Sequence, residues 1–381
     1  MVLVEDNYTA NQTTGRTLSV VPNSERSLTY PAVASDVVDR TGTRSTMVVL
    51  TRQLSGTTAT TSPVSWLRFF DLQNIVPSNP GAFRQVRAIQ LTGASGDPFF
   101  GTGACFTAVQ VSLDGRYATL LNSPAACDPN SSSPPSMFVL DTQNPTTYYD
   151  ITSSVGPPIL DAAPFDDQAQ VGEKVYFLVS GGSTGGVNNA EIYTFDVPYD
   201  PTVQPADAQM FLPGQDQTEL ASNGSELVAM TNPDPYSPTN YPASYVQAVP
   251  LSGSSQSQQV DTVPGATALA VDPSGATQQV VVAGRTSTGG EITVHPDATS
   301  NATATTSAGY NYTGVAATID PVNRFGYVID SGQIVVLDLL TVGSGSSTWY
   351  RPFGLTLTLP RTTTAQYATT VAWTRAKQST P

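Results

Sequence analysis

One motif recurs along this chain of 381 residues and limits what it can fold into: a short apolar run that stops on a polar, usually acidic, residue. The instances are WLRFFD ending at Asp71, MFVLD at Asp141, IYTFD at Asp196, VQAVP at Pro250, ITVH at His295 and IVVLD at Asp338. Their successive separations are 70, 55, 54, 45 and 43 residues. Ahead of each lies a second pattern, two apolar runs flanking a polar turn. It is clearest in AVQVSLDGRYATLLN (Ala108 to Asn122), ALAVDPSGATQQVVVAG (268 to 284) and AATIDPVNRFGYVID (Ala316 to Asp330), and looser at 33 to 51, 161 to 180 and 220 to 232. Apolar runs joined by a turn containing Gly, Asn or Asp are hairpin chemistry.

Each unit therefore reads as four antiparallel strands, a, b, c and d, with the hairpin supplying a and b and the marker ending c. A period of about 40 to 55 residues is that of a propeller blade rather than of a helical solenoid. Charged residues are only 12% of the chain and no long amphipathic helical pattern occurs, which favours an all-β fold. The expectation is one domain over 1–381: a seven-bladed β-propeller of four-stranded antiparallel blades, with 1–15 as a flexible N-terminal tail. The last blade joins RTLSVVP and RSLTYP from the beginning to GLTLTLP (from Gly354) and YATTVAWT (from Tyr367) from the end. An open ring would leave a sheet face and its edges unpaired, and joining the termini removes them. A six-bladed ring with decorated ends is the alternative.

The phrases VSLDGRYATLL with MFVLDTQNPTTYYDIT, and IDPVNRFGYVID with GQIVVLDLLT, resemble the YVTN-type, lactonase-like seven-bladed propellers. The resemblance implies the fold. Members of that group range from hydrolases to non-catalytic surface proteins, and no catalytic motif of theirs has a match in this chain.

Composition excludes several classes of partner. The net charge of −14 and the low isoelectric point repel phosphate backbones and anionic headgroups, so nucleic acid is not expected. The only lysines are Lys174 and Lys377, and no basic block offers a membrane patch. No run approaches the roughly 20 apolar residues of a membrane-spanning helix, so direct membrane insertion is not expected. The beginning, MVLVEDNYTANQTTGRT, is too polar for a signal peptide. The Ser, Thr and Asn-rich loops and scarce lysine nevertheless favour a processed, extracytoplasmic protein, secreted, periplasmic or on the cell surface.

Cys105 and Cys127 point the same way. Cys105 precedes a first strand and Cys127 falls in the b–c loop of the same unit, and d–a and b–c loops leave a propeller on one side. The expected disulfide implies an oxidising compartment.

Other candidate chemistry has simple structural readings. The acids that end the c strands are expected to cap their own c–d turns rather than form a ring of metal ligands. His295, the only histidine, takes the place of one of these acids, and no GxSxG motif accompanies it. Asp166, Asp167 and Glu173 lack the spacing of a calcium loop. Gly181, Gly182, Gly185 and Gly186 lack the lysine of a phosphate-binding loop and are read as a flexible connection. Sequons occur at Asn7, Asn11, Asn130, Asn223, Asn301 and Asn311. No catalytic residue, metal site or cofactor is expected.

Loop length is the remaining signal. QLSGTTATTSPVS, NSPAACDPNSSSPPS, SGGSTGGVNNA and TNPDPYSPTNYPAS are long b–c connections, joined on the same side by the d–a loop TGASGDPFFGTGA. They bring together Phe99, Phe100, Tyr236, Tyr241 and Tyr245, with Tyr310 and Tyr312 from a later d–a loop, as candidate binding residues. The expected role is non-catalytic: an interaction or assembly module whose partner is another protein or envelope component, or a glycan. A lactonase-like hydrolase with its site at the channel mouth and a glycan- or small-molecule-binding propeller are the alternatives.

Overall fold

The computed structural model describes the strands named below and residues 104–105, 112, 115–116, 123–124, 127–128, 130–133, 142–147, 151, 173, 197–203, 223, 243–244, 251, 259, 262–265, 272, 278–279, 287, 296–299 and 339. A short pair, β1 (Val4–Asp6) with β2 (Leu18–Val20), opens the chain. Sheet I follows as β3 (Ala32–Arg40), β4 (Arg44–Gln53), β5 (Val64–Asp71) and β6 (Arg84–Thr92). Sheet II holds β7 (Phe106–Val111), β8 (Tyr117–Asn122), β9 (Ser136–Asp141) and β10 (Tyr148–Asp150). Sheet III holds β11 (Gln168–Val171), β12 (Lys174–Ser180), β13 (Ala190–Asp196) and β14 (Ala206–Leu212). Sheet IV holds β15 (Gln217–Ser222), β16 (Glu226–Thr231), β17 (Tyr245–Pro250) and β18 (Val260–Asp261). Sheet V is β19 (Ala266–Val271), β20 (Val280–Thr286), β21 (Gly289–His295) and β22 (Ala304–Ser307). Sheet VI is β23 (Ala316–Asp320), β24 (Phe325–Asp330), β25 (Gln333–Asp338) and β26 (Arg351–Thr358).

Every four-stranded sheet is an antiparallel meander in chain order, and the six marker residues are each the last residue of a third strand. The apolar runs earn that position by alternation. Side chains of a strand point to opposite faces with a period of 2, so a strand buried on both faces reads as a continuous apolar run. On β8, Ala118 and Leu120 join the core between sheets I and II, while Tyr117 and Leu121 join the core between sheets II and III. On β16, Leu227 and Ala229 face sheet III, while Val228 and Met230 face sheet V. On β20, Val280 and Val282 face sheet IV, while Val281 and Ala283 face sheet VI. Five apolar cores thus join the six sheets in sequence, each between one sheet and the next.

First strands lie beside first strands: β3 by β7, β11 by β15, β15 by β19 and β19 by β23. Successive four-stranded meanders packed face to face, with their first strands innermost, make a β-propeller.

The innermost strand of each blade is an edge, with backbone groups that lack a ladder partner on one side. Two carboxylates answer that need. Asp36 Oδ2 on β3 accepts the N–H of Val111 on β7 at 2.6 Å, and Glu219 Oε2 on β15 accepts the N–H of Leu269 on β19 at 2.7 Å.

The ends of the chain differ from the sequence-based expectation. GLTLT belongs to β26 and is the fourth strand of sheet VI, paired with β25, rather than part of a seventh unit. Leu18–Val20, within RTLSVVP, pairs with Val4–Asp6, inside the segment read as a tail. RSLTYP and YATTVAWT lie outside the described residues. The two sheets at the ends of the series are nonetheless covered on their far faces. Val49 and Phe70 on sheet I point away from sheet II yet are only 1% and 4% exposed, and Phe325 on sheet VI, pointing away from sheet V, is 0% exposed.

Candidate functional site

The antiparallel order places every b–c and d–a connection at one end of the propeller. At that end the b–c loops of sheets I to IV span 54–63, 123–135, 181–189 and 232–244, whereas those of sheets V and VI are only 287–288 and 331–332. The long b–c connections therefore all belong to sheets I to IV. Loops held by a rigid scaffold are where recognition residues concentrate.

The neck of the loop 123–135 is tied down from several directions. Cys105, immediately before β7, is disulfide-bonded to Cys127, with Cα atoms 5.9 Å apart. Asn122 Oδ1 accepts the Cys105 N–H at 2.6 Å while its Nδ2 donates to Ser136 Oγ at 2.8 Å, so one amide clamps both ends of the loop. Ser123 N donates to the Cys105 carbonyl at 2.8 Å. Past the neck, the Cys127 and Asp128 N–H groups both donate to the Pro124 carbonyl, and Asp128 Oδ1 accepts from Asn130 N at 2.9 Å. Asn130, Ser132 and Ser133 are left exposed on this held loop.

Arg52, near the end of β4, reaches across from sheet I. Its Nη1 donates to Cys105 Sγ at 2.9 Å and to the Phe106 carbonyl at 3.0 Å. Burial lowers its pKa, because a guanidinium withdrawn from water is less favoured in its charged form. Sequence reasoning missed this residue, since nothing local marks an arginine that bonds across 53 positions of chain.

Of the aromatic candidates, Tyr245 is described: it is the first residue of β17, half-buried, and paired with Thr231 and Asp261. It stands where the loop 232–244 enters the sheet rather than within that loop. Phe99, Phe100, Tyr236, Tyr241, Tyr310 and Tyr312 lie outside the described residues, as do Asp166, Asp167 and the glycines of SGGSTGG.

The strand-ending residues divide. Asp141 caps its c–d turn as expected, its Oδ1 accepting from Gln143 N at 2.9 Å and Asn144 N at 3.2 Å, while Oδ2 pairs with Arg116 Nη2 at 3.3 Å. Asp196 instead makes an exposed ion pair with Lys174 at 3.0 Å, and the turn after it is capped by Asp200, which accepts from Thr202 N and Oγ1 at 2.8 and 2.7 Å. Those bonds favour the ionised form and lower the Asp200 pKa.

The turn-capping expectation for His295 is corrected. Its side chain is fully buried, and its Nε2 is hydrogen-bonded to Thr262 Oγ1 at 3.1 Å in the connection between sheets IV and V. Asp297 takes over the cap, accepting from Thr299 N and Oγ1 at 2.8 and 2.6 Å. Among the described residues, no group of three or more His, Cys, Asp or Glu side chains is placed to hold a metal ion.

No family model matches the chain, and no curated protein matches it. Among solved structures it is similar to that of Kuenenia stuttgartiensis hydrazine synthase, with a TM-score of 0.51 and 12% identity over 83% of this chain and 79% of that one. Pyrococcus horikoshii acylaminoacyl peptidase gives a TM-score of 0.43 at 8% identity, covering 81% of this chain but 44% of the peptidase. The β-propeller domain of the Trilobed protease from Pyrococcus furiosus, with its open velcro topology, gives 0.43 at 8% identity over 84% of both chains. At such identities the likeness is one of fold alone.

Proposed function

We propose that this chain is a secreted or cell-surface propeller of seven blades, of the YVTN-type, lactonase-like kind, that works by binding as an interaction or assembly module of an extracellular or envelope complex. The observation that carries the reading is the loop-bearing end. Sheets I to IV carry the long b–c connections, and the one at 123–135 is fixed at its neck by a disulfide, an asparagine clamp and a cross-sheet arginine. Fixing a loop in advance lowers the ordering entropy that a partner must overcome. The disulfide favours an oxidising, extracytoplasmic setting. Asp36 and Glu219, the inner-strand carboxylates, are engaged by backbone N–H groups, which suits a structural role for them.

The seventh blade comes from the segments before β3 and after β26. Its support is the burial of Val49, Phe70 and Phe325 on the two faces that the five described cores do not use. The partner is another protein or envelope component, met by the loops that carry Phe99, Phe100, Tyr236 and Tyr241, in which Asp97 and Asp234 are the only charged residues.

Affinity capture from native envelope material tests the reading. The wild-type chain is expected to retain a partner that the Tyr236→Ala/Tyr241→Ala variant loses. Recovery of the wild-type chain only as a soluble monomer, or equal capture by both proteins, would overturn it.

A further inference from the structure

The contact between Arg52 and the disulfide is chemically mismatched. A half-buried guanidinium donates to a disulfide sulfur at 2.9 Å, and a neutral disulfide sulfur is a weak acceptor. Its other described bond, from the same nitrogen, goes to the Phe106 carbonyl. Among the described residues no carboxylate pairs with Arg52. The sulfur that would match this cation is a thiolate.

We infer that Cys105–Cys127 is a thiol–disulfide exchange site, with Cys127 as the attacked sulfur, Cys105 as the leaving thiolate, Arg52 as the residue that positions and stabilises it, and a dithiol as the co-substrate. Access sets the direction. Cys105 is fully buried, whereas Cys127 is partly exposed on the loop. A thiolate of the external dithiol attacks Cys127 Sγ, a mixed disulfide forms, and the electron pair of the broken S–S bond goes to Cys105 Sγ. The second thiol of the dithiol, as its thiolate, then attacks the mixed disulfide and releases Cys127. The dithiol leaves as a disulfide, and the protein has gained two electrons.

A cation within a few ångströms of the leaving sulfur lowers its pKa and speeds departure. Arg52 comes from β4, and Asp128 follows Cys127 with an oxygen turned to the Asn130 N–H. Reduction would remove the covalent tie between Cys127 and Cys105 and leave the Asn122 clamp and the Ser123–Cys105 backbone bond to hold the neck. None of this depends on what the loop end binds.

The test uses the full chain. Reduction by dithiothreitol is followed in wild type, Arg52→Lys and Arg52→Gln, and glutathione adducts are mapped by mass spectrometry. The expected result is an adduct on Cys127, a near-wild-type rate for Arg52→Lys, and reduction slower by on the order of threefold to tenfold for Arg52→Gln. Equal rates for all three proteins, or an adduct on Cys105, would overturn the inference.

Should Arg52→Gln fail to fold, the Cys127→Ser protein decides, because Cys105 is then the sole thiol. Its ultraviolet thiolate absorbance is expected to titrate below the ordinary cysteine value of about 8.5, and titration at or above that value refutes the assignment.

Discussion

Replacing Glu219 is expected to weaken the propeller from its axis outward, because the Glu219 carboxylate is what satisfies the free-edge N–H of Leu269. The bond is short, at 2.7 Å, it joins the innermost strands of sheets IV and V, and Leu269 is 7% exposed. A hydrogen bond to a charged group contributes about 1.5–3 kcal/mol, and removing the acceptor leaves a buried donor unpaired. Glu219→Ala is therefore expected to cost about 2–3 kcal/mol, the two descriptions being views of the same loss rather than additive terms. Glu219→Gln keeps an oxygen in place but removes the charge assistance, so its cost should be about 1 kcal/mol. Equilibrium urea unfolding gives the ranking, and amide exchange at Leu269 gives the location: its protection should fall steeply in the alanine variant and mildly in the glutamine variant. Equal stability of both variants and wild type, or unchanged exchange at Leu269, would refute the reasoning.

Further outcomes follow from other sites. Gly284→Ala should destabilise by about 1–3 kcal/mol in thermal or urea unfolding, because an added Cβ would meet the Gly265 carbonyl oxygen at 2.8 Å and the Ala266 Cα at 2.9 Å, both backbone atoms that cannot swing away. Burial raises the Glu291 pKa, so the folded chain holds this proton more tightly than the unfolded chain, and the resulting stability is present at acid pH and lost as pH rises through the folded value. Glu291→Gln should therefore be more stable than wild type at neutral pH, with the difference vanishing below the ordinary glutamate range in unfolding curves taken across pH. In a glycosylating host, glycopeptide mapping should find Asn130 occupied and Asn223 bare. Asn130 is exposed, whereas Asn223 is 2% exposed and its amide both donates to Glu226 Oε1 and accepts from Glu226 N.

The architecture was legible wherever a physical rule acts within a few residues. Hairpins declare themselves because a turn such as Leu113-Asp114-Gly115 sits between two apolar runs, and the third strands because their runs end where the sheet ends. The disulfide was legible once topology placed a d–a and a b–c loop on the same side. What escaped depends on contacts between distant segments. GLTLT has the pattern of any strand, and nothing in it says which sheet edge it joins. The cap of a c–d turn slides along the chain, from Asp141 at the strand end to Asp200 and Asp297 beyond it, because an Asp can accept from a backbone N–H two residues later wherever the turn places one. His295, released from capping, fills a buried polar position that only the neighbouring sheet defines. Arg52 is legible only once sheet I is laid on sheet II.

Closure of the ring by both ends of the chain is tested most directly by calorimetry of a protein lacking residues 359–381. If that segment contributes to the proposed seventh blade, its removal should uncover Val49, Phe70 and Phe325, each worth about 1.5–3 kcal/mol when buried. The shortened chain is predicted to unfold at a lower temperature in a broader transition. An unchanged midpoint and enthalpy would contradict a ring closed by its termini.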